Sequence, residues 1–403
     1  MKHSITRLSS ICGFGLFVQW FDYTLFTVML PLIIFNFVPQ VPNLNLTFTY
    51  LVTYSATLFT RPFGALIFSH FSDHYGRKKV LLITVTLMGL STFLLGFCPS
   101  TLIIGVAAPA FLLFFTFLHG FSSGGEWPNM VSYLYEAGDS QSYPKIGWIL
   151  WLWIFLGIFF GHIISTVFIR ISSLEFLGRI AWRLLFILST IFAFICLYYR
   201  LKLNESKLWL KQKHQFSVKT FYKTHARFVF RGFLIASSEG ALFNLFIHAT
   251  DYPVAEPVIN MTYEVLGSLL AIISSFFIYR LAKRLGSTLS IRLGIGLVMT
   301  LALIQTLLVP AFAHSVYRLA YVIPTVLYII PMTSVIPSLF PIENRALGVS
   351  LSHELAVFFF GGLGLVLIRS FGAWVPHILP AYLLFTTLLS LIGTFTVKET
   401  YRT

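Results

Sequence analysis

Apolar runs of about twenty residues return along the whole chain, and nothing else in the sequence limits its fold so severely. A bilayer core about 30 Å thick is crossed by about 20 residues of α-helix, whose backbone polar groups must find their partners inside the segment. The runs lie near 11–38, 49–69, 80–98, 104–134, 147–169, 182–200, 228–250, 259–279, 292–310, 319–340, 346–369 and 377–397. Val80–Cys98 and Phe358–Ile368 are apolar on every face, which excludes the two-residue alternation of a membrane β-barrel. Only 10% of the residues are charged, against about 25% in soluble domains, so lipid must solvate much of the surface. The expected fold class is an all-α membrane protein with twelve transmembrane helices. Residues 1–7 and the apolar stretch from Ile11 to Val38 are too long for a signal-peptide core and read as the first helix.

The basic residues test the span count. With the N-terminus inside, 22 of the 28 Lys and Arg fall on the cytoplasmic side, namely Lys2, Arg7, Arg77, Lys78, Lys79, Lys145, nine between Arg200 and Arg231, Arg280, Lys283, Arg284, Arg292, Arg345, Lys398 and Arg402. Five fall outside, at Arg170, Arg179, Arg183, Arg318 and Arg369, and Arg61 alone lies within a span. Basic loops face the cytoplasm, so both termini are expected there, in a cytoplasmic (inner) membrane. A missed helix in mid-chain would destroy this imbalance.

The long hydrophilic segment Lys202–Arg227 follows the sixth span. It divides the chain into an N-terminal six-helix bundle (1–200), a basic cytoplasmic linker (201–227) and a C-terminal six-helix bundle (228–403). Two bundles of equal helix number suit halves that rock about a site near the membrane midplane.

The net charge of +14 does not point to nucleic acid, because the basic residues sit at helix ends rather than on one groove-facing element. Cys12, Cys98 and Cys196 are odd in number, far apart and set in apolar sequence, so neither disulfides nor a metal cluster is expected. His70, Asp73 and His74 stand close together, but they belong to a turn motif described next, and no metal or cofactor is expected. Nucleophile, His-rich and phosphate-cradling motifs are missing, which argues against an enzyme.

The stretch Arg61-Pro62-Phe63-Gly64 through Asp73-His74-Tyr75-Gly76-Arg77-Lys78-Lys79 resembles the signature between helices two and three of the major facilitator superfamily. In that resemblance Gly76 makes a tight turn, Asp73 accepts from neighbouring helix ends, and Arg77, Lys78 and Arg345 belong to the gate. Ser69 and His74 replace the usual Gly and Arg, a change that loosens the expected gate. Gln19-Trp20-Phe21-Asp22-Tyr23, Gly120-Phe121-Ser122-Ser123-Gly124-Gly125-Glu126-Trp127, Ala181-Trp182-Arg183-Leu184-Leu185-Phe186 with Asn204-Glu205-Ser206, and Phe340-Pro341 with Arg345, Gly348-Val349-Ser350-Leu351 and Gly361-Gly362 are similar to the metabolite/proton symporter branch. That branch includes osmoprotectant, dicarboxylate and shikimate carriers. The resemblance implies the major facilitator fold and a small, charged metabolite and a proton as partners, with membrane lipid around them. The departures bear on coupling. Thr116 and His119 stand where the branch has Arg and Gln, Gln19 where it has Glu, and His353-Glu354 where it has Tyr-Asn. Altered coupling, an uncoupled facilitator or exchanger, and a non-transporting sensor on the same fold all remain open.

A charge at bilayer depth costs at least about 2.5–3.5 kcal/mol on insertion scales, so ionisable residues there are partnered and often functional. Asp22, Glu126, Arg61, Glu239 and Glu354 are such residues, and Glu264 lies nearer the outer end. Each is weighed against a fixed structural ion pair. Asp22 and Glu126 carry the most weight, because the resemblance puts helices one and four on a central cavity, with helices seven and eleven facing it. Burial favours the neutral form of a carboxyl group, which makes these coupling candidates. His119 and His353 can relay protons, whereas His162 reads as a satisfied core residue. Trp20 and Trp127 flank the carboxylates and either line the cavity or anchor interfaces. A quaternary ammonium solute would use such rings, and an organic anion would use Arg61.

Overall fold

A computed structural model of the protein describes residues 4–37, 46–172, 181–211, 218–247, 257–308, 314–371, 375, 377–395, 397 and 400. Lys2, Arg179, Lys213, Lys398 and Arg402 of the basic set lie outside the described residues. Twelve long helical runs follow one another in the described residues. They are α1 (Ile5–Phe37), α2 (Leu46–Tyr75), α3 (Arg77–Phe97), α4 (Ala107–Ala137), α5 (Tyr143–Ser172) and α6 (Ala181–Leu201), then α7 (Val218–Ile247), α8 (Pro257–Leu285), α9 (Ser287–Leu308) and α10 (His314–Ser338). In α11 the helix Arg345–Ala356 passes through a π-helical stretch, Val357–Leu363, into Gly364–Phe371, and α12 is Ile378–Thr394. Each run covers most of one expected apolar span. The start of α7 lies ten residues earlier than its apolar run, inside the segment read as linker.

Nine of the described helices are long and apolar enough to cross a membrane, and Ile378–Thr394 is a shorter apolar one. Many large apolar side chains point outward, among them Phe63, Phe97, Phe194, Phe277 and Leu308. On a soluble protein such a surface would aggregate; in lipid it is the favourable face.

The packing has internal symmetry. In the first six helices α1 packs on α5 and α6, α2 on α4, and α3 on α4 and α6. In the second six α7 packs on α11 and α12, α8 on α10, and α9 on α10 and α12. Adding six to each number of the first set reproduces the second. The bundles meet through the pairs α2 with α11 and α5 with α8, which obey the same rule.

Sharp turns mark one end of the molecule. Gly76 links α2 to α3 and Gly286 links α8 to α9, and their backbones have φ of 115° and 94°, a region costly for residues with a Cβ. We call the membrane face that holds these turns the turn end, and the opposite face the far end.

Candidate functional site

At the turn end the two bundles are latched. Asp73 accepts hydrogen bonds from the Ala346 and Leu347 amides at 3.2 and 3.0 Å, the first free N–H groups of α11, and it pairs with Arg77 one turn along. A carboxylate at a helix N-terminus meets both unsatisfied amides and the positive end of the helix dipole. Arg77 also reaches Glu136 of α4 at 2.9 Å and the Ile342 carbonyl at 2.9 Å. Glu136 accepts from Ser206 at 2.6 Å and lies 3.6 Å from Arg345. Glu205 receives the Arg77 and Lys78 amides at 3.0 and 3.2 Å, capping α3. Ser69 and Ser350 touch between α2 and α11.

Two of the sequence candidates lie inside the N-terminal bundle. Glu126 pairs with Arg200 of α6 and accepts from Thr84 of α3 at 2.6 Å, while Arg200 also donates to the Leu81 carbonyl at 2.8 Å. Every charge there has a near partner within one bundle. Asp22 accepts from Thr92 of α3 at 2.8 Å and from Ser189 of α6, and it stands 3.5 Å from His119 Nε2 of α4. This carboxylate faces a small void also lined by Tyr23, Thr57, Thr116 and His119.

The remaining candidates converge between the bundles. Arg61 of α2 donates through Nε and Nη2 to the two oxygens of Glu354 at 2.7 and 3.1 Å, a fork-to-fork pair across the bundle boundary. His353 presents Nδ1 to Glu354 at 2.9 Å and Nε2 to Glu239 of α7 at 3.0 Å. Its ring lies flat on Trp127, with centroids 3.9 Å apart. Glu239 comes this close because Gly240 follows it, where a Cβ would stand 2.8 Å from the Gly361 amide. α7 and the π-helical part of α11 therefore meet backbone to backbone. All four charged groups are at least nine-tenths buried, with His353 at 3% exposure and Glu354 at 0%.

Two chambers follow one another from this cluster in the direction of the far end. Trp20, Trp127, Trp151, Arg61, Glu239 and His353 line the inner chamber, as does Gln19. Trp151, Ile154 and Glu239 also line a larger outer chamber between α5 and helices α7, α8 and α10. Glu264, Arg318 and Tyr263 lie in that outer wall, and His162 of α5 pairs with Glu264 of α8. Latched at the turn end, with charge held at depth between two matched bundles, the described residues have the form of a carrier.

The comparisons with known proteins agree. The family model described as "Sugar (and other) transporter" matches residues 8–224. The chain belongs to the sugar (and other) transporter family. A Staphylococcus haemolyticus protein whose name assigns it to proline/betaine transport is 27% identical over 87% of this chain and 78% of its own length. A Haemophilus influenzae protein named for metabolite transport is 25% identical over 99% of this chain and 95% of its own. Among solved structures, the major facilitator proton:xylose symporter XylE superposes with a TM-score of 0.80 at 15% identity, covering 98% of this chain and 96% of that one. The human organic anion transporter MFSD10 gives 0.74 at 13% identity, over 98% and 99%. The fold is the major facilitator fold, the protein is a multi-pass membrane transporter, and it is not an enzyme.

Within this family member the sequence candidates separate into three places. Arg61, Glu239, Trp20 and Trp127 line the inner chamber, and Glu354 is buried against Arg61; Asp22 and His119 share the N-bundle void; Glu126 is tied to Arg200. Asp73, Gly76, Arg77, Lys78 and Arg345 gather at the turn end with Glu136 and Glu205, which sequence reasoning did not single out. Arg200 had been read as a helix-end cation of the basic side. Its signal was the apolar run that precedes it, which leaves a guanidinium at that point within reach of Glu126.

Proposed function

We propose that the chain moves a small metabolite bearing charged groups across a cytoplasmic membrane by alternating access, coupled to protons. The observation that carries this reading is the buried chain Arg61–Glu354–His353–Glu239. It joins both bundles at bilayer depth beside the inner chamber, with a cation of the N-terminal bundle paired to an anion of the C-terminal one. Charge at that depth is expensive unless it serves passage. The latched turn end corresponds to an access state closed on that side. With the turn end in the cytoplasm, as the split of basic residues expects, this state is closed inward, both termini are cytoplasmic, and the segment 201–227 links the halves inside.

Asp22 is the second coupling candidate, since it shares a void with a histidine and several hydroxyls rather than a permanent cation. Glu126 takes the structural role, because Arg200 satisfies it. Relatives named for proline/betaine and metabolite transport support a small polar solute. The test is uptake of radiolabelled organic acids, osmolytes and sugars into proteoliposomes, with and without a pH gradient. Accumulation that follows the gradient supports the reading. Uptake that ignores it leaves an uncoupled facilitator, and binding without uptake leaves a sensor.

A further inference from the structure

The void around Asp22 is lined by lone pairs. Thr92 gives its hydroxyl hydrogen to one oxygen of Asp22, and Ser189 gives its own to the other. Ser91 spends its hydrogen on the Met88 carbonyl at 2.7 Å, and Thr116 spends its own on the Leu112 and Leu113 carbonyls, both at 2.9 Å. A hydroxyl has one hydrogen and two lone pairs, so Ser91 and Thr116 have only oxygen lone pairs left to offer the void they line. Thr57, 3% exposed, lines the same void, and its Oγ1 has no hydrogen-bond partner among the described residues. His119 Nε2 has none either, although it lies 3.5 Å from Asp22.

Hydroxyls that donate to a carboxylate stabilise its charge, and among the described residues no Lys or Arg pairs with Asp22. Helices α2, α3 and α6 bring only hydroxyl and apolar side chains to the void, and α1 adds the phenol of Tyr23. The one group there that can carry positive charge is His119 of α4. An imidazolium would donate its Nε2–H to Asp22, yet that nitrogen makes no hydrogen bond, and both carboxylate oxygens already accept hydroxyl hydrogens. An anion and a set of lone pairs, with no hydrogen left to meet them, make a place for a cation. A single positive charge brings the site to zero, whereas a divalent ion would leave an uncompensated charge inside the bundle, which is strongly unfavourable. Oxygen donors also suit a hard ion rather than a transition metal, which prefers imidazole and thiolate.

We propose that this void is a binding site for one alkali cation, with sodium as the ion to test, held by the Asp22 carboxylate, Thr57 Oγ1 and the hydroxyl oxygens of Ser91 and Thr116. A proton on Asp22 is the other way to neutralise the same carboxylate, so proton and sodium exclude one another. The site adjoins the inner chamber without belonging to it. On α1, Gln19 and Trp20 line the chamber while Asp22 and Tyr23 line the void; on α2, Leu58 and Arg61 line the chamber while Thr57 lines the void. A cation that ties Thr57 of α2 and Thr116 of α4 to Asp22 of α1 fixes walls that both spaces share. The site stands by itself, and its link to a solute rests on the transport reading above: there, ion and solute raise one another's affinity by the same factor.

The test is equilibrium binding of radioactive sodium to the full chain in detergent, with ionic strength held constant by N-methylglucamine chloride, together with the Tm in each salt. The expected result is saturable binding of one sodium per chain, a Tm that rises with sodium chloride but not with N-methylglucamine chloride, and release of the sodium as the pH falls. Asp22→Asn abolishes the binding. Thr57→Ala raises the Kd about two- to tenfold, the loss of one hydroxyl contact, and Thr57→Ser restores it. Both threonine variants keep the hydroxyls that donate to Asp22, and their Tm without sodium controls for folding. Absence of saturable sodium binding by the folded chain, or binding unchanged in a folded Asp22→Asn, overturns the inference and leaves the transport reading standing. Sodium bound at Asp22, with no uptake of any solute of the panel above under a sodium or a pH gradient, supports the site and overturns the transport reading.

Discussion

Neutralising Asp73 should unlatch the turn end. In Asp73→Asn the side chain keeps one oxygen, but it no longer offers a charge to the Ala346 and Leu347 amides at 3.2 and 3.0 Å or to Arg77. A carboxylate at a helix N-terminus is worth about 0.3–1 kcal/mol when exposed and up to about 2 kcal/mol when partly buried. Asp73 is 2% exposed, so a loss of about 1–2 kcal/mol from the latched state is expected. The contacts of Arg77 with Glu136 and the Ile342 carbonyl remain to hold part of the closure. That loss corresponds to a rise of about five- to thirtyfold in the population open at the turn end. Ser350 reports it, since it is fully buried against Ser69 between α2 and α11. With Ser350→Cys in inside-out vesicles, a membrane-impermeant maleimide should label the Asp73→Asn background about five to thirty times faster. Cys12, Cys98 and Cys196 are buried and give a low background. A labelling rate unchanged within twofold, in a variant of unchanged Tm, would refute the latch.

Three further outcomes follow from the other clusters. Glu126→Gln and Arg200→Met should each lower stability by about 3–5 kcal/mol by stranding a buried charge; the double variant should recover most of it and retain uptake, as read by thermal unfolding and proteoliposome flux. Asp22→Asn should weaken the response of uptake to a pH gradient while leaving exchange of labelled for unlabelled solute in place, and an unaltered pH profile would remove Asp22 from the coupling scheme. Gly240→Val forces a side chain toward the Gly361 amide and parts α7 from α11, so the KM should rise and the turn-end labelling rate should rise with it.

The helical architecture was legible because its cause is local. An apolar run of membrane length must be helical wherever it lies, and the alternation of basic loops fixes how many runs there are. The turn at Gly76 was legible for a similar reason, since residues 73–79 make most of their own geometry. Partners were not legible. Glu126 and Arg200 are 74 residues apart, and Arg61 and Glu354 are 293 apart. Sequence marked Asp22 and Glu126 as equal candidates because both are lone carboxylates on cavity-lining helices. The rotation of each helix, set by packing on its neighbours, decides whether such a group faces the cleft or its own bundle. Glu239, which no motif supported, lines both chambers, and Glu354, equally unsupported, is fully buried against Arg61. His353 illustrates the same limit, for its meaning depends on having a carboxylate at each nitrogen, and one of those comes from another helix.

The position of these groups along α11 ties the latch to the chamber. Ala346 and Leu347 hold Asp73 at the start of the helix, Ser350 touches α2 one turn on, and His353 and Glu354 follow about 10 Å from Ala346 at 1.5 Å per residue. Beyond them the hydrogen-bond pattern changes to the π-helical stretch at Val357–Leu363, where α11 crosses Gly240 of α7. The segment from Arg345 to Ala356 is thus a regular helix, with the turn-end latch at one end and the proposed solute contact at the other. It cannot tilt at one end alone. A solute that parts His353 from Glu239 must move this segment relative to α7 or move α7 itself, and the same displacement acts on the amides that Asp73 holds. The Arg61–Glu354 pair makes α2 follow, and α2 carries Asp73. On the proposed function, access at the turn end and occupancy of the chamber are linked through α2 and α11 and the contacts of Asp73, Glu354 and His353, without a signal passing through the rest of either bundle.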